Sequence, residues 1–291
     1  MKKPFIYLER QRGLGDVLWI EPVIRQLVLK YNKVIVFSEY NILFKNYPDS
    51  KVVFKQKLNW FEKILYKIDE KLDTQNFFVR LDGAYENNPK MHFLHAYQMK
   101  ANLPLTIEYP SIYLSESEKQ TFAHLENPFV VLHLDTWSEK NYRQVYGIDW
   151  EKIVEYLSSK NLDVIQIGKN PLHIPGTKYL KVTTREMIAL INKASLFIGI
   201  DSGPSHIAAS VSTAALIFFG SVNPSYRHFK SLFNGVFLQQ PCEFAGCYHE
   251  IVSLRGPTCK LVGDEGIPKC SLHSNGFLFL YLDQVLSKLE F

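Results

Sequence analysis

Short apolar runs alternate with amphipathic stretches along the chain, and this alternation predicts parallel strands joined by helices. In the first half the strand-like runs are Phe5–Glu9, Val34–Ser38 and Lys51–Lys55, with a short helix between the last two. Asp16–Tyr31 sets Ile20, Val23, Ile24, Leu27 and Val28 three and four positions apart, the spacing of a helical face laid on a sheet. Leu58–Leu72, Phe77–Leu81 and Met91–Ala101 continue the series, and Thr106–Ser115 with the polar stretch Glu116–Pro128 leads into the second half.

The second half repeats the unit more cleanly: strand Phe129–Leu134, helix Trp150–Ser159, strand Asp163–Gly168, helix Thr184–Ala194, strand Leu196–Ile200, helix Pro204–Ser210, strand Ala214–Phe219. Val130-Val131-Leu132, Val164-Ile165-Gln166-Ile167 and Leu196-Phe197-Ile198 are almost wholly apolar, as strands covered on both faces of a parallel sheet are. A last helix, Phe277–Leu289, packs back on one of the domains. The expected fold is therefore α/β. At 291 residues the chain suits two domains of ~100–200 residues, placed here at 1–125 and 126–291.

Composition narrows the function classes little. The hydrophobic fraction of 46% and charged fraction of 21% are those of an ordinary globular protein, and the net charge of +4 is mild and spread along the chain. That distribution argues against nucleic acid as a partner, and it suits a phosphate-bearing ligand or an anionic membrane surface. No apolar run reaches the ~18 residues of a membrane span, and Met1–Tyr7 does not read as a secretion signal, so a cytoplasmic protein is expected.

Two turns carry candidate chemistry. Gly13-Leu14-Gly15-Asp16 follows the first strand, where glycines allow a tight turn and close approach of a ligand. Asp16 is placed either to cap the following helix or, at the mouth of the crevice outside the strand ends, to take a proton from an attacking hydroxyl. Arg10 and Arg12 flank the turn as contacts for an anionic acceptor. The third glycine of a dinucleotide fingerprint is replaced by Leu18, while Glu39 stands near where an acidic residue would hold a ribose. The second turn, Ile200-Asp201-Ser202-Gly203-Pro204-Ser205-His206, reads as strand end, turn and helix start, with Pro204 in the first turn where it costs no hydrogen bond. A helix opening beside glycine offers free N–H groups and a positive dipole end to phosphate, with Ser202 and Ser205 as added donors. Asp201 would repel phosphate and suits sugar hydroxyls instead. In the competing reading Asp201 and Ser202 only cap the helix and His206 is a core histidine.

Gly15-Asp16-Val17-Leu18 with Pro22, and Phe197-Ile198-Gly199-Ile200-Asp201-Ser202-Gly203-Pro204-Ser205-His206-Ile207-Ala208-Ala209, resemble the two signatures of glycosyltransferase family 9, the ADP-heptose-dependent heptosyltransferases and their relatives. Phe218-Phe219-Gly220-Ser221 with Asn223-Pro224 is similar to the family's next strand and loop. The resemblance implies a GT-B architecture of two Rossmann-like domains facing across a cleft, with the acceptor side at 1–125 and the nucleotide-sugar side at 126–291. It implies Asp16 as catalytic base; Gly13, Gly15 and Arg12 are placed on the acceptor side by their position in the same turn. On the donor side it implies Asp201 on the sugar and Ser202, Gly203 and His206 at the diphosphate, and Pro204 joins them by its place in the helix start. Lys140-Asn141-Tyr142 resembles the family's phosphate-directed lysine, with Arg143 a rival for that charge. The implied reaction is inverting transfer, without a required cofactor, of a sugar (heptose by default) from a nucleoside-diphosphate sugar to a glycan, lipid-linked or protein acceptor. Peripheral association with the inner membrane surface goes with such an acceptor. Where the family often has a ribose-holding glutamate, this chain has Lys169-Asn170-Pro171.

Cys242, Cys247, Cys259 and Cys270, the chain's four cysteines, all fall within 241–273. Four thiolates suit a tetrahedral Zn²⁺ or an iron ion, and in a cytoplasmic chain a structural metal is favoured over disulfides. His249 and His273 are alternative ligands, a comparable finger in some family relatives binds iron, and free buried thiols are the plain alternative. Three other functions stay open: a dinucleotide-dependent oxidoreductase or epimerase, a non-catalytic sugar-nucleotide-binding or partner-docking protein, and a metal-finger nucleic-acid binder.

Overall fold

All the strand pairs recorded in the computed structural model are parallel, and they form two separate sheets. The structure describes residues 3–72, 74–135, 143–250, 259–263 and 265–289. The chain divides into two compact units, Met1–Ser115 and Glu116–Phe291.

The first unit runs β1 (Ile6–Glu9), α1 (Leu14–Leu18), α2 (Glu21–Lys30), β2 (Val34–Phe37), β3 (Val52–Lys55), α3 (Trp60–Lys71), β4 (Phe78–Arg80) and α4 (Phe93–Lys100), with sheet order β3-β2-β1-β4. The helix expected over 16–31 is broken in two. Pro22 has no N–H for the carbonyl of Leu18, so it sits in the first turn of a new helix; Trp19 and Ile20 end the first one by bonding back to Gly15 and Val17. The apolar face read from the sequence is buried as expected, with Ile20, Val23 and Ile24 fully inaccessible.

The second unit runs α5 (Glu116–Lys119), β5 (Phe129–His133), α6 (Trp150–Ser159), β6 (Asp163–Gln166), β7 (Thr177–Tyr179), α7 (Thr184–Lys193), β8 (Leu196–Ile200), α8 (Gly203–Ser210), β9 (Ala215–Phe218), β10 (Gly235–Leu238) and α9 (Asn275–Leu286). Its sheet order is β10-β9-β8-β5-β6-β7. The three almost wholly apolar runs became β5, β6 and β8, adjacent strands of that sheet. Val130, Leu132, Leu196, Ile198 and Ile200 join one core with Leu278 and Leu282 of α9, each such side chain contributing about 1.5–3 kcal/mol by burial. The break between units falls ten residues before the expected one. Arg185 on α7 forks Glu118 through bonds of 2.9 and 2.8 Å, and Lys193 donates to the carbonyls of Phe122 and Leu125 at 2.8 Å, so residues 116–125 are tied to the second unit.

Counted from its own first strand, the second sheet reads 3-2-1-4-5-6, the dinucleotide-fold order, and the first reads 3-2-1-4. In such sheets the winding reverses between strands 1 and 4, and the loops leaving their carboxyl ends diverge to leave room for a ligand. These points lie between β1 and β4 in one unit and between β5 and β8 in the other.

Candidate functional site

At the first reversal point the chain leaves β1 through Arg10, Gln11, Arg12 and Gly13. Gly13 adopts φ +81°, and a Cβ there would fall 1.8 Å from Asp16 Oδ2. Only glycine lets the Asp16 carboxylate fold back over the turn. Asp16 Oδ1 lies 3.5 Å from Arg10 Nη2; the same guanidinium reaches Asp82 and Glu86, which follow β4, at 3.0 Å each, and lies over the rings of Tyr85 and Tyr97. Burial alone would lower the Arg10 pKa, but Tyr97, Asp16, Tyr85 and Glu86 more than offset this and raise it. Arg10 is thus a buried, permanently charged strut that fixes three carboxylates, not the exposed acceptor contact read from the sequence. Arg12 is exposed, and Gly15 is buried within α1. The Asp16 carboxylate occupies the turn where a pyrophosphate would rest in a dinucleotide fold, which disfavours an anion there.

At the second reversal point β8 delivers Asp201 to α8. Gly199, one of its last residues, leaves no room for a side chain: a Cβ would meet the Phe197 ring at 2.6 Å and the His133 carbonyl of β5 at 3.0 Å. Ser202 Oγ donates to the Ile200 carbonyl at 3.2 Å and lies 3.3 Å from His133 Nδ1, while Ser205 Oγ donates to the Ser202 carbonyl at 2.7 Å. Burial lowers the His133 pKa to about 4, so the ring is neutral at pH 7. Pro204 stands in the first turn of α8, and Ser205, His206, Ile207 and Ala208 are buried. Asp201 is buried, its Oδ2 has no hydrogen-bond partner among the described residues, and Arg143 Nη2 approaches that oxygen to 4.0 Å. Lys140 lies outside the described residues.

Two residues here escaped the sequence reading. His228 stacks on His206, with ring centroids 4.6 Å apart and planes 18° from parallel. Burial first, then the neighbouring His206, hold its pKa well below the usual histidine range. Asp135, just beyond β5, accepts the Lys169 and Asn170 N–H groups at 2.7 and 3.1 Å, fastening the loop that stands where the family often has its ribose glutamate.

The four cysteines are free thiols, with Cys247 and Cys270 buried. Burial first, then the neighbouring thiols, raise Cys247 and push Cys270 up to about 11. Among the described residues no three His, Cys, Asp or Glu side chains stand close enough to form a metal-ligating group. His273 faces Gln240 at 3.2 Å and the Phe218 ring instead of the thiols, and nothing is described of the His249 side chain.

The two units, each a parallel sheet with helices, give the α/β fold of GT-B glycosyltransferases. The model of "Glycosyltransferase family 9 (heptosyltransferase)" matches residues 91–234. Lipopolysaccharide heptosyltransferase 3 of Escherichia coli is 54% identical over 43 residues, which are 15% of this chain and 13% of that relative's length. The crystal structure of the iron-containing dodecameric glycosyltransferase TibC from enterotoxigenic E. coli H10407 superposes with a TM-score of 0.72 at 17% identity, covering 98% of this chain and 77% of TibC. TibC in complex with ADP-D-beta-D-heptose gives a TM-score of 0.65 at 18% identity, with 99% and 80% covered. Residues 91–234, just under half of the chain, are thus similar to glycosyltransferase family 9. That likeness favours the transferase reading over the dinucleotide-dependent alternative.

Proposed function

We propose that the protein is an inverting glycosyltransferase that moves heptose from ADP-heptose to a hydroxyl of a glycan, lipid-linked or protein acceptor. The observation that carries the donor side is Asp201, whose buried oxygen has no hydrogen-bond partner among the described residues and stands at the start of α8. A buried acceptor without a donor costs about 1–3 kcal/mol, and a sugar hydroxyl removes that cost. The diphosphate then lies against the N–H groups of Gly203 and its neighbours, with Ser202 and His206 beside it and Pro204 fixing the helix start. Lys140 supplies positive charge to the leaving group, and Arg143 is a second source once sugar replaces it at Asp201. On the acceptor side Asp16 takes the hydroxyl proton, with Gly13, Gly15 and Arg12 shaping the approach. The hydroxyl oxygen bonds to the anomeric carbon as the bond from that carbon to the phosphate oxygen breaks, and ADP leaves with the electron pair.

The same reading gives Cys242, Cys247, Cys259 and Cys270 a structural Zn²⁺ or iron ion that takes no part in transfer. What supports it is four soft donors within one stretch of sequence, 242–270, where burial and the neighbouring thiols oppose ionisation of Cys247 and Cys270 and a cation would offset both. It also includes a cytoplasmic location, in keeping with free thiols, and peripheral contact with a membrane surface.

Thermal unfolding with ADP, UDP, GDP and their sugars tests the donor side. ADP-heptose at about 100 times its Kd should raise Tm by roughly 5–10 °C. In Asp201→Ala, the gain of ADP-heptose over ADP should vanish. Equal gains in both proteins would refute the role given to Asp201.

A further inference from the structure

The helix α3 turns a second apolar face to solvent. Its inner face, Glu62, Leu65 and Asp69, is buried against the first sheet. On the outer face Trp60, Ile64, Ile68 and Leu72 follow at intervals of four, with Phe61 beside Trp60, and their exposures are 75%, 45%, 41%, 62% and 52%. Residues four apart lie one above another on a helix, so these side chains form a continuous stripe nearly as long as α3. Scattered exposed apolar residues need no explanation, but an aligned stripe headed by tryptophan and phenylalanine marks a contact surface.

The charges select what the stripe meets. Lys63, Lys67 and Lys71 form a second row beside it, also four apart and exposed, and Lys57 precedes the helix. Two of the three acidic side chains of α3 point inward and are used there. Glu62 accepts from the Asn59 N–H at 2.8 Å and from Tyr7 Oη at 2.9 Å, and pairs with Lys55. Asp69 accepts from the Phe77 and Phe78 N–H groups at 2.7 Å each and from Thr74 Oγ1 at 2.9 Å. The exposed side of α3 keeps three lysines against Glu70 alone, a surplus of two positive charges.

We infer that α3 is a membrane-docking helix that lies on an anionic lipid surface, its stripe from Trp60 to Leu72 in the headgroup boundary and its lysine row on the lipid phosphates. This rests on the peripheral membrane contact proposed above and assigns it a surface. An apolar face with aromatic and aliphatic residues, flanked by lysines, is what an interfacial helix requires. Among the described residues no helix is long and apolar enough to cross a membrane. A second copy meeting the stripe with the same helix would bring the same positive surplus to the contact, whereas anionic headgroups neutralise it.

Cosedimentation of the full chain with vesicles of phosphatidylcholine alone, or with one third phosphatidylglycerol, tests the assignment. The protein should bind the anionic vesicles and release them at high salt. A lysine near an anionic surface contributes roughly a fivefold factor, so K63Q/K67Q/K71Q should bind about 100-fold more weakly. W60S/I64S should lose at least about tenfold, because two side chains leave the boundary. All these side chains are exposed, so both variants should melt as the wild type does and keep the ADP-heptose response, which separates this test from that of the transferase reading. Binding by both variants at wild-type strength would overturn the assignment of α3 and leave membrane contact standing. No preference of the wild type for anionic vesicles, or loss of self-association in the variants without any vesicle binding, would overturn both.

Discussion

Gly13 and Asp16 behave as one device. The left-handed backbone of Gly13 and the missing Cβ give the Asp16 carboxylate its place, and Arg10 holds it there. Gly13→Ala adds a carbon 1.8 Å from Asp16 Oδ2 and a strained φ worth about 1–3 kcal/mol. It should lower Tm by several degrees and transfer by at least about tenfold, leaving the ADP-heptose shift intact; wild-type steady-state kinetics in this variant would contradict the device. Both turns were legible in the sequence because turn, cap and close approach each restrict residue type locally. The partners were not. Asp82 and Glu86 meet Arg10 from more than seventy positions away, and His228 meets His206 only because the loop after β9 folds over α8. Composition marks none of these pairings, since each residue alone reads as an ordinary charge or core ring.

At the scale of elements, periodicity placed the central strands and the buried helix faces, and it failed where a rule other than periodicity decides. Pro22 split the expected first helix while leaving its apolar spacing intact. The expected last helix starts earlier, at Asn275, because Ser274 accepts from the Phe277 N–H. β7 has too few apolar positions to announce a strand, and β10 is a run of only four residues; both form as outer strands of the second sheet. The stretch bearing the four cysteines has no period at all, and there only residue type is informative. If it is a metal clamp, protein purified without chelator should carry about one zinc or iron per chain, and Cys247→Ser or Cys270→Ser should lose that metal and melt earlier. Wild-type protein free of both metals, as judged by elemental analysis, would refute the clamp.

The two units of the molecule repeat one winding rule, and the chemistry proposed for each lies at its own reversal point: proton removal at Asp16, sugar and diphosphate binding at Asp201–His206. Fold class could be anticipated from the strand pattern and the two signatures, while acceptor and membrane face depend on exposed residues that periodicity does not constrain. The most direct test is steady-state transfer from ADP-heptose by the Asp16→Ala protein. Loss of a positioned general base predicts a kcat lower by ~100–10,000-fold with the donor KM unchanged; a kcat equal to that of the wild type would contradict the account.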